Sequence, residues 1–270
     1  MLSTNELGRP TLIFDEVSST NTLGFEAAQR HTPHGTVILA ESQTAGKGRL
    51  GRTWHSPSGK NLYVSIVLTH ATYKTHISWI PLVTGMALAE SLELVSELSL
   101  SLKWPNDIVI HDRKLAGILC EARQKGNTEG AIVVGIGMNI NSDNDDFPKE
   151  LRDTATSLKL ERLQEFDRLP LLAAFLANLE SHYTRLHSEP IEAIRSQYIA
   201  RCSTLQCAIE VHFSSGKRLE GEAVDVGMDG ELQVMSFDNQ NRHTILPIRS
   251  GDVFHIRKSL RGIYNAGTVE

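Results

Sequence analysis

Cysteine is scarce in this chain: Cys120, Cys202 and Cys207 are the only three in 270 residues. They form neither an even set nor a C-x-x-C pair, so no disulfide framework is legible and a reducing cytoplasm is the expected setting. Long apolar runs are missing too, and the N-terminus lacks a signal-peptide pattern, so neither a membrane span nor secretion is expected. Positive charge is not in surplus. The net charge of -5 argues against general nucleic-acid binding, which favours strongly basic domains. No G-x-x-x-x-G-K-[ST] string occurs, which excludes a P-loop, and no G-x-S-x-G or His-positioned cysteine supports a nucleophilic triad. His31 and His34 are interrupted by Pro33 and lack a third partner, which argues against zinc. Asp143, Asp145 and Asp146 do not follow EF-hand spacing and read as solvated charge. There is no internal repeat and no low-complexity tract. The composition is that of a soluble globular protein, long enough for one large domain or two.

Against that background one stretch stands out, Ala45-Gly46-Lys47-Gly48-Arg49-Leu50-Gly51-Arg52-Thr53-Trp54. Three glycines and three cations fall within seven residues, and an aromatic ring closes the run. Glycine permits positive φ and close approach of the main chain. Free N–H groups in such a loop form an anion cradle, and Lys and Arg add charge around it. Gly46, Gly48 and Gly51 also satisfy G-x-G-x-x-G, a pattern that needs a strand directly before, a helix directly after and an acid about 20 residues on. Ser42-Gln43-Thr44 separates the loop from the strand, Pro57 and Gly59 follow it, and the next apolar run ends without an acid. A dinucleotide site is therefore not supported, and a local phosphate site on an acidic body is.

The rest of the chain reads as alternating short elements. Leu12-Ile13-Phe14, Gly35 to Ala40 and Asn61 to Leu68 are expected strands. Ser19-Thr20-Asn21 has N-cap character before a helix and would present free N–H groups to a ligand. His76 to Val95, apolar on most faces, is expected as a buried helix. Leu102-Lys103-Trp104-Pro105-Asn106-Asp107 then leads to Ile108-Val109-Ile110, with Pro105 ending a strand. Asp112-Arg113 is expected as a two-residue turn, with Lys114 to Glu121 returning antiparallel. Gly117 leaves room for a ligand beside Lys103 and Lys114. Gly126-Asn127 reads as a second turn and Ala131 to Ile140 as a strand, in which Gly135 and Gly137 mark close approach of a ligand or another backbone. Ser142 to Leu160 is expected as loop, and Leu163 to His187 and Ile191 to Cys202 as helices. Cys207 to Phe213, Arg218 to Val226, Glu231 to Met235, His243 to Ile248 and Val253 to Ile256 are expected as short strands of a small β-barrel, with a turn at Asp229-Gly230. A phosphate cradle, two site lysines and polar caps are parts for phosphate-centred electrostatic catalysis.

Five runs in order resemble the biotin–protein ligase (biotin–acetyl-CoA-carboxylase ligase) family. They are Ser19-Thr20-Asn21, Gly46 to Trp54, Lys103 to Asp107, Asp112 to Ile118 and Gly135 to Asn139. The resemblance covers about Leu12 to Asn141 in order and spacing, and the C-terminal β-module in kind. It implies an α+β fold: a class II aminoacyl-tRNA-synthetase-like catalytic domain with a mixed sheet over 1–200, then an SH3-like barrel over 201–270. It further implies that biotin and ATP form biotinoyl-5′-AMP with Mg²⁺, and that a lysine of a biotin carboxyl carrier domain then takes the biotinoyl group. No direct protein cage for the metal is expected. Family contacts fall on Ser19, Thr20, Asn21, Gln43, Lys47, Gly48, Arg49 and Lys114. By that analogy Arg49 and Lys47 hold the carboxylate and phosphate, Lys114 neutralises the transferring centre, and Gln43 with the Ser19–Asn21 cap faces biotin's ring. Trp54, Trp104 and Asn106 would line or support the adenylate pocket. The wider binding set takes in Gly46, Arg52, Lys103, Asp107, Gly117, Gly137 and Asn139. Lys47 stands where arginine is common in the family, losing bidentate geometry, and Leu50 replaces an arginine of some members. Little chain precedes Leu12, so the helix-turn-helix domain of some relatives, and with it DNA binding, is not expected. Exposed sheet edges offer a route to a homodimer. The competing readings are a lipoate–protein ligase or octanoyltransferase of the same superfamily, and a non-catalytic nucleic-acid binder.

Overall fold

A computed structural model describes residues 2–69, 76–125, 128–237 and 242–255. The expected turn at Gly126-Asn127 and the strand end at Ile256 lie outside the described residues. The first strands are β1 (Thr11–Val17), β2 (Thr36–Gln43) and β3 (Leu62–Leu68), with α1 (Thr20–Gln29) between the first two. After α2 (Ile80–Ser96) come β4 (Ser101–Lys103), β5 (Asp107–Ile110), β6 (Arg113–Lys125) and β7 (Thr128–Met138). These seven strands form one sheet in the order β1-β2-β3-β7-β6-β5-β4. The β1–β2 pair is parallel and the others are antiparallel, so the sheet is mixed.

Alternation along the central strands separates the two faces. Ile66 pairs with Val134 and Val64 with Ile136 on one face, buried against α2. Ser65, Gly135 and Leu119 form one row on the other face, and Tyr63, Gly137 and Gly117 form the next. Small residues in those rows leave the second face concave, and α1 closes one end of it. The helix-forming runs α3 (Leu158–Arg162), α4 (Arg168–Ser188) and α5 (Ile191–Arg201) follow. Asp167 caps α4 by accepting from the Leu169 amide at 3.0 Å, and Leu171, Phe175, Leu179 and Leu186 bury its apolar stripe. A second, five-stranded antiparallel sheet comprises β8 (Ala208–His212), β9 (Arg218–Val226), β10 (Leu232–Phe237), β11 (His243–Ile248) and β12 (Asp252–His255), in the order β11-β10-β9-β8-β12.

Several boundaries differ from the sequence reading. The β5–β6 turn is His111-Asp112, with φ of 48° and 62°, one residue before the expected Asp112-Arg113. Both residues take the left-handed conformation that a tight hairpin of matching twist requires. α3 begins inside the stretch expected as loop and runs past it, and Leu163, at φ 57°, lies beyond it, so α4 begins at Arg168. Ile77 and Ser78 precede α2, which starts at Ile80 with Pro81 in its first turn. The second sheet is open among the described residues, where the barrel reading needs β11 and β12 to meet. No described helix is long and apolar enough to cross a membrane.

Two indoles join the layers. Trp79 Nε1 donates to the Met228 carbonyl at 2.7 Å, and Trp104 Nε1 donates to the Gly230 carbonyl at 2.9 Å. Both acceptors lie in the β9–β10 turn, so the second sheet is held to the start of α2 and to the β4–β5 turn. At the N-terminus Glu180 of α4 accepts from the amides of Asn5, Glu6 and Leu7 at 2.7, 2.7 and 3.1 Å. Burial alone would raise that carboxyl, but the three amides outweigh it and hold it below the ordinary glutamate value. A carboxyl lowered in the fold stabilises fully above its unfolded value and loses that contribution as pH falls through the folded one. As pH falls below the ordinary glutamate range, the protection factors of the N-terminal amides, corrected for intrinsic exchange, should therefore drop, and Glu180→Gln should remove this pH dependence.

Candidate functional site

The concave face carries a cleft of about 410 Å³. One end is polar and closely bonded. Gln43, at the end of β2, accepts at Oε1 from the Thr20 amide at 2.9 Å and donates from Nε2 to Ser56 Oγ at 3.0 Å. Ser56 Oγ in turn donates to the Trp54 carbonyl at 3.1 Å. Asn21 Nδ2 donates to Glu121 at 2.9 Å, and Ser65 Oγ lies 2.6 Å from Asn21 Oδ1. Ser19 takes the N-cap position of α1, yet its side chain makes no cap bond. The capping reading is corrected: Gln43, across the cleft, satisfies the first helical amide. A network in which each member holds the next fixes rotamers before any ligand arrives.

The middle of the cleft is cationic. Lys114 Nζ is 2.7 Å from Asp107 and 5.3 Å from the centre of the Trp54 ring. Arg49 Nη1 donates to Asn106 Oδ1 at 3.0 Å, and Asn106 Nδ2 donates to the Ile118 carbonyl at 2.8 Å. Burial pulls the Arg49 guanidinium below the ordinary arginine value, against the pull of Asp252 and Asp107. Lys47 Nζ donates to Thr22 Oγ1 at 2.8 Å and so ties the loop to the first turn of α1. At the far end Asn139, Phe147, Leu151, Thr154 and Ala155 line the cleft. That stretch is anchored where the Lys114 amide donates to the Thr154 carbonyl at 2.7 Å.

The basic loop closes partly on itself. It folds as a narrow turn in which the Gly48 amide donates to the Arg52 carbonyl at 2.7 Å and the Trp54 amide to the Gly46 carbonyl at 2.9 Å. Those two amides are satisfied within the loop, and Lys47, Arg49 and Arg52 bring cationic side chains to the cleft beside it. Of the loop glycines only Gly51 has positive φ, at 75°, and Leu50 shares that conformation at 52°. A Cβ at Gly46 would stand 2.4 Å from the Trp54 carbonyl, so Gly46 serves the closure of the loop on itself.

Of the expected site residues, Ser19, Thr20, Asn21, Gln43, Lys47, Gly48, Arg49, Arg52, Trp54, Lys103, Asn106, Asp107, Lys114, Gly117, Gly137 and Asn139 line this one cleft. Gly46 and Trp104 do not. Trp104 is buried at 2% exposure and faces a separate cavity of about 430 Å³ behind Arg49 and Asn106. The room expected for a ligand at Gly117 and Gly137 is taken by the chain itself. A Cβ at Gly137 would lie 2.2 Å from Trp54 Cε2, and one at Gly117 would lie 2.9 Å from Trp54 Cζ3. The two glycines are register partners, and the indole lies in the gap they leave. Gly135 likewise admits Asn21, whose Oδ1 would be 2.1 Å from a Cβ there. Gly137→Ala should expel the indole, seen as a red-shifted Trp54 emission in a Trp79→Phe/Trp104→Phe background. An unchanged spectrum would place the ring elsewhere. Sequence reasoning missed Glu121, Phe147, Leu151, Asp252 and Phe254. The apolar Phe147 and Leu151 within an acidic run were a usable signal, whereas nothing local marks Asp252.

A family model described as the Biotin/lipoate A/B protein ligase family matches residues 13–139. The bifunctional ligase/repressor BirA of Bacillus spizizenii is 34% identical over 182 residues, which cover 67% of this chain and 56% of that protein. The match therefore spans little more than half the length of that relative. The biotin–[acetyl-CoA-carboxylase] ligase of Mycobacterium tuberculosis is 30% identical over 227 residues, covering 83% of this chain and 80% of that one. Among solved structures, the biotin protein ligase from Aquifex aeolicus in complex with biotin and ATP superposes with a TM-score of 0.78 at 26% identity, covering 93% of this chain and 100% of that one. Motif order, mixed sheet and relatives agree, and the chain belongs to the biotin protein ligases of the biotin/lipoate A/B protein ligase family.

Proposed function

We propose that this protein is an ATP-dependent biotin–protein ligase acting in two steps on a biotin carboxyl carrier domain. The observation that carries the reading is one cleft with a prearranged hydrogen-bonding end, Thr20, Asn21 and Gln43, and a cationic middle, Arg49 and Lys114. The polar end suits the urea of biotin, which both donates and accepts. The dithiolane of lipoate offers no such groups, and a site built to hydrogen-bond a ligand rejects an analogue that lacks the partners. In the first step biotin's carboxylate oxygen attacks the α-phosphorus of ATP, and the bond to pyrophosphate breaks. Arg49 and Lys114 offset the charge gathering at that phosphorus. In the second step an acceptor lysine's amine attacks the acyl carbon, AMP leaves, and the nitrogen sheds a proton. Trp54 and the basic loop exclude water from the mixed anhydride.

Among the described residues no three His, Cys, Asp or Glu side chains converge as a metal cage. We propose Mg²⁺ as the counterion of the triphosphate, held mainly by phosphate oxygens. We further take residues 1–200 as a catalytic unit resembling class II aminoacyl-tRNA synthetases, and 201–270 as an SH3-like module. The Mycobacterium relative is named for acetyl-CoA carboxylase, and the carrier domain of that enzyme is our proposed acceptor. ATP–pyrophosphate exchange tests the reading. Exchange should require biotin; exchange with lipoate alone would assign the sister activity, and exchange with neither acid would remove the enzyme reading.

A further inference from the structure

The edge strand β12 delivers a carboxylate to the cationic part of the cleft. Asp252 forms an ion pair with Arg52 and lies 3.9 Å from Arg49. Its side chain is 12% exposed, whereas that of Arg52 is 60% exposed. Both ends of β12 are fixed independently of the basic loop. Asp252 pairs in register with His212 of β8, and His255 Nδ1 lies 3.7 Å from Asp112 in the β5–β6 turn. Arg49 keeps a second partner in Asn106. Arg52, by contrast, has Asp252 as its ion-pair partner among the described residues and a long exposed side chain.

We propose that Asp252 is an intramolecular stand-in for the anionic substrate. In the free protein its carboxylate takes the guanidinium donors of the basic loop, and a bound polyphosphate must take Arg52 from it. The identity of that anion as the phosphates of ATP rests on the function proposed above. A guanidinium fork engages one carboxylate or one phosphate edge bidentately, and the two anions repel each other at this range. The asymmetry of burial determines which partner moves. Asp252 is seated on a paired strand, so the exposed Arg52 and the loop that carries it swing toward the ligand. Until then the pair neutralises two cations that would otherwise face each other unscreened, and it holds the loop near the cleft. The cost is affinity: a ligand that needs a site occupied by an internal competitor binds more weakly by the fraction of molecules in which the site is free.

Asp252→Asn keeps the shape and removes the charge. A half-exposed ion pair of this kind corresponds to about a fivefold gain in affinity for ATP and for inorganic pyrophosphate, read by calorimetry. Trypsin should cut the loop of the free variant faster at Lys47, Arg49 and Arg52, and ATP should restore protection. In an Arg52→Ala background the same substitution should gain clearly less, leaving only what Asp252 exerts through Arg49 3.9 Å away, and Asp252→Glu should return binding to the weaker value. Weaker or unchanged pyrophosphate binding by a variant whose melting curve shows it folded would overturn the proposal and leave Asp252 a simple tether. Pyrophosphate titration needs no biotin chemistry, so it judges Asp252 even if the wild-type exchange assay fails. The exchange assay in turn judges the functional reading whatever Asp252→Asn does.

Discussion

Replacing Lys114 with alanine is expected to lower biotin-dependent ATP–pyrophosphate exchange on the order of 10²–10³-fold, the usual loss when one prearranged charge-stabilising donor is removed. The geometry explains why the loss should fall in this range. Lys114 sits at the second position of β6, its stem lies over Gly117, and its ammonium is 2.7 Å from Asp107 of the neighbouring strand. Truncation removes a cation from the reacting centre and also unmasks a carboxylate that faces the same anionic phosphate. Adding Asp107→Asn to Lys114→Ala should therefore recover part of the loss, a non-additivity expected of residues in one ion pair. Biotin affinity should change little, because Thr20, Asn21 and Gln43 hold the other end of the cleft. The drop then appears in kcat and kcat/KM together, the mark of an interaction made in the transition state. A loss under tenfold would move Lys114 away from the transferring group.

Trp104→Phe should destabilise the protein by about 1–3 kcal/mol, and Trp104→Ala by about 3–5 kcal/mol, measured by denaturant unfolding. Phenylalanine retains most of the buried apolar surface but leaves the Gly230 carbonyl without its donor. Alanine adds a cavity beneath α2, where Leu82 and Ile118 share the lining. The kinetic consequence separates support from contact. Trp104 precedes Asn106, which holds Arg49, and Asp107, which holds Lys114. Slack at the indole should raise KM for ATP while biotin binding stays intact. Loss of biotin binding with unfolding unaffected would instead mean that Trp104 touches the ligand.

Much of the scaffold could be read locally. β3 is a run of seven buried residues, and α2 is apolar around most of its circumference, so neither depends on distant partners for its identity. The C-terminal strands alternate and are punctuated by turn residues, and Gly230 takes the positive φ of 77° that such a turn demands. The misplaced β5–β6 turn shows the limit of that reading. His111 and Asp112 adopt left-handed conformations because two strands must meet in a set register, and register is a relation between segments. Trp104 marks the same limit for the site. Its motif neighbours Asn106 and Asp107 face the cleft, but the indole turns to a carbonyl more than a hundred residues away.

The local chain thus specified the motifs, the order of elements and the chemical character of the cleft's lining, because periodicity, turn chemistry and charge act over a few residues. Tertiary structure alone decided which groups meet. Gly117 and Gly137 became a seat for Trp54 because β6 and β7 pair them, and the Gly48 and Trp54 amides bonded across the loop because its two limbs approach. Asp252 reached Arg52 because β12 runs along the edge of the second sheet. Coulomb attraction and van der Waals contact depend on distance in space, and no spacing along the chain encodes a distance that only folding creates.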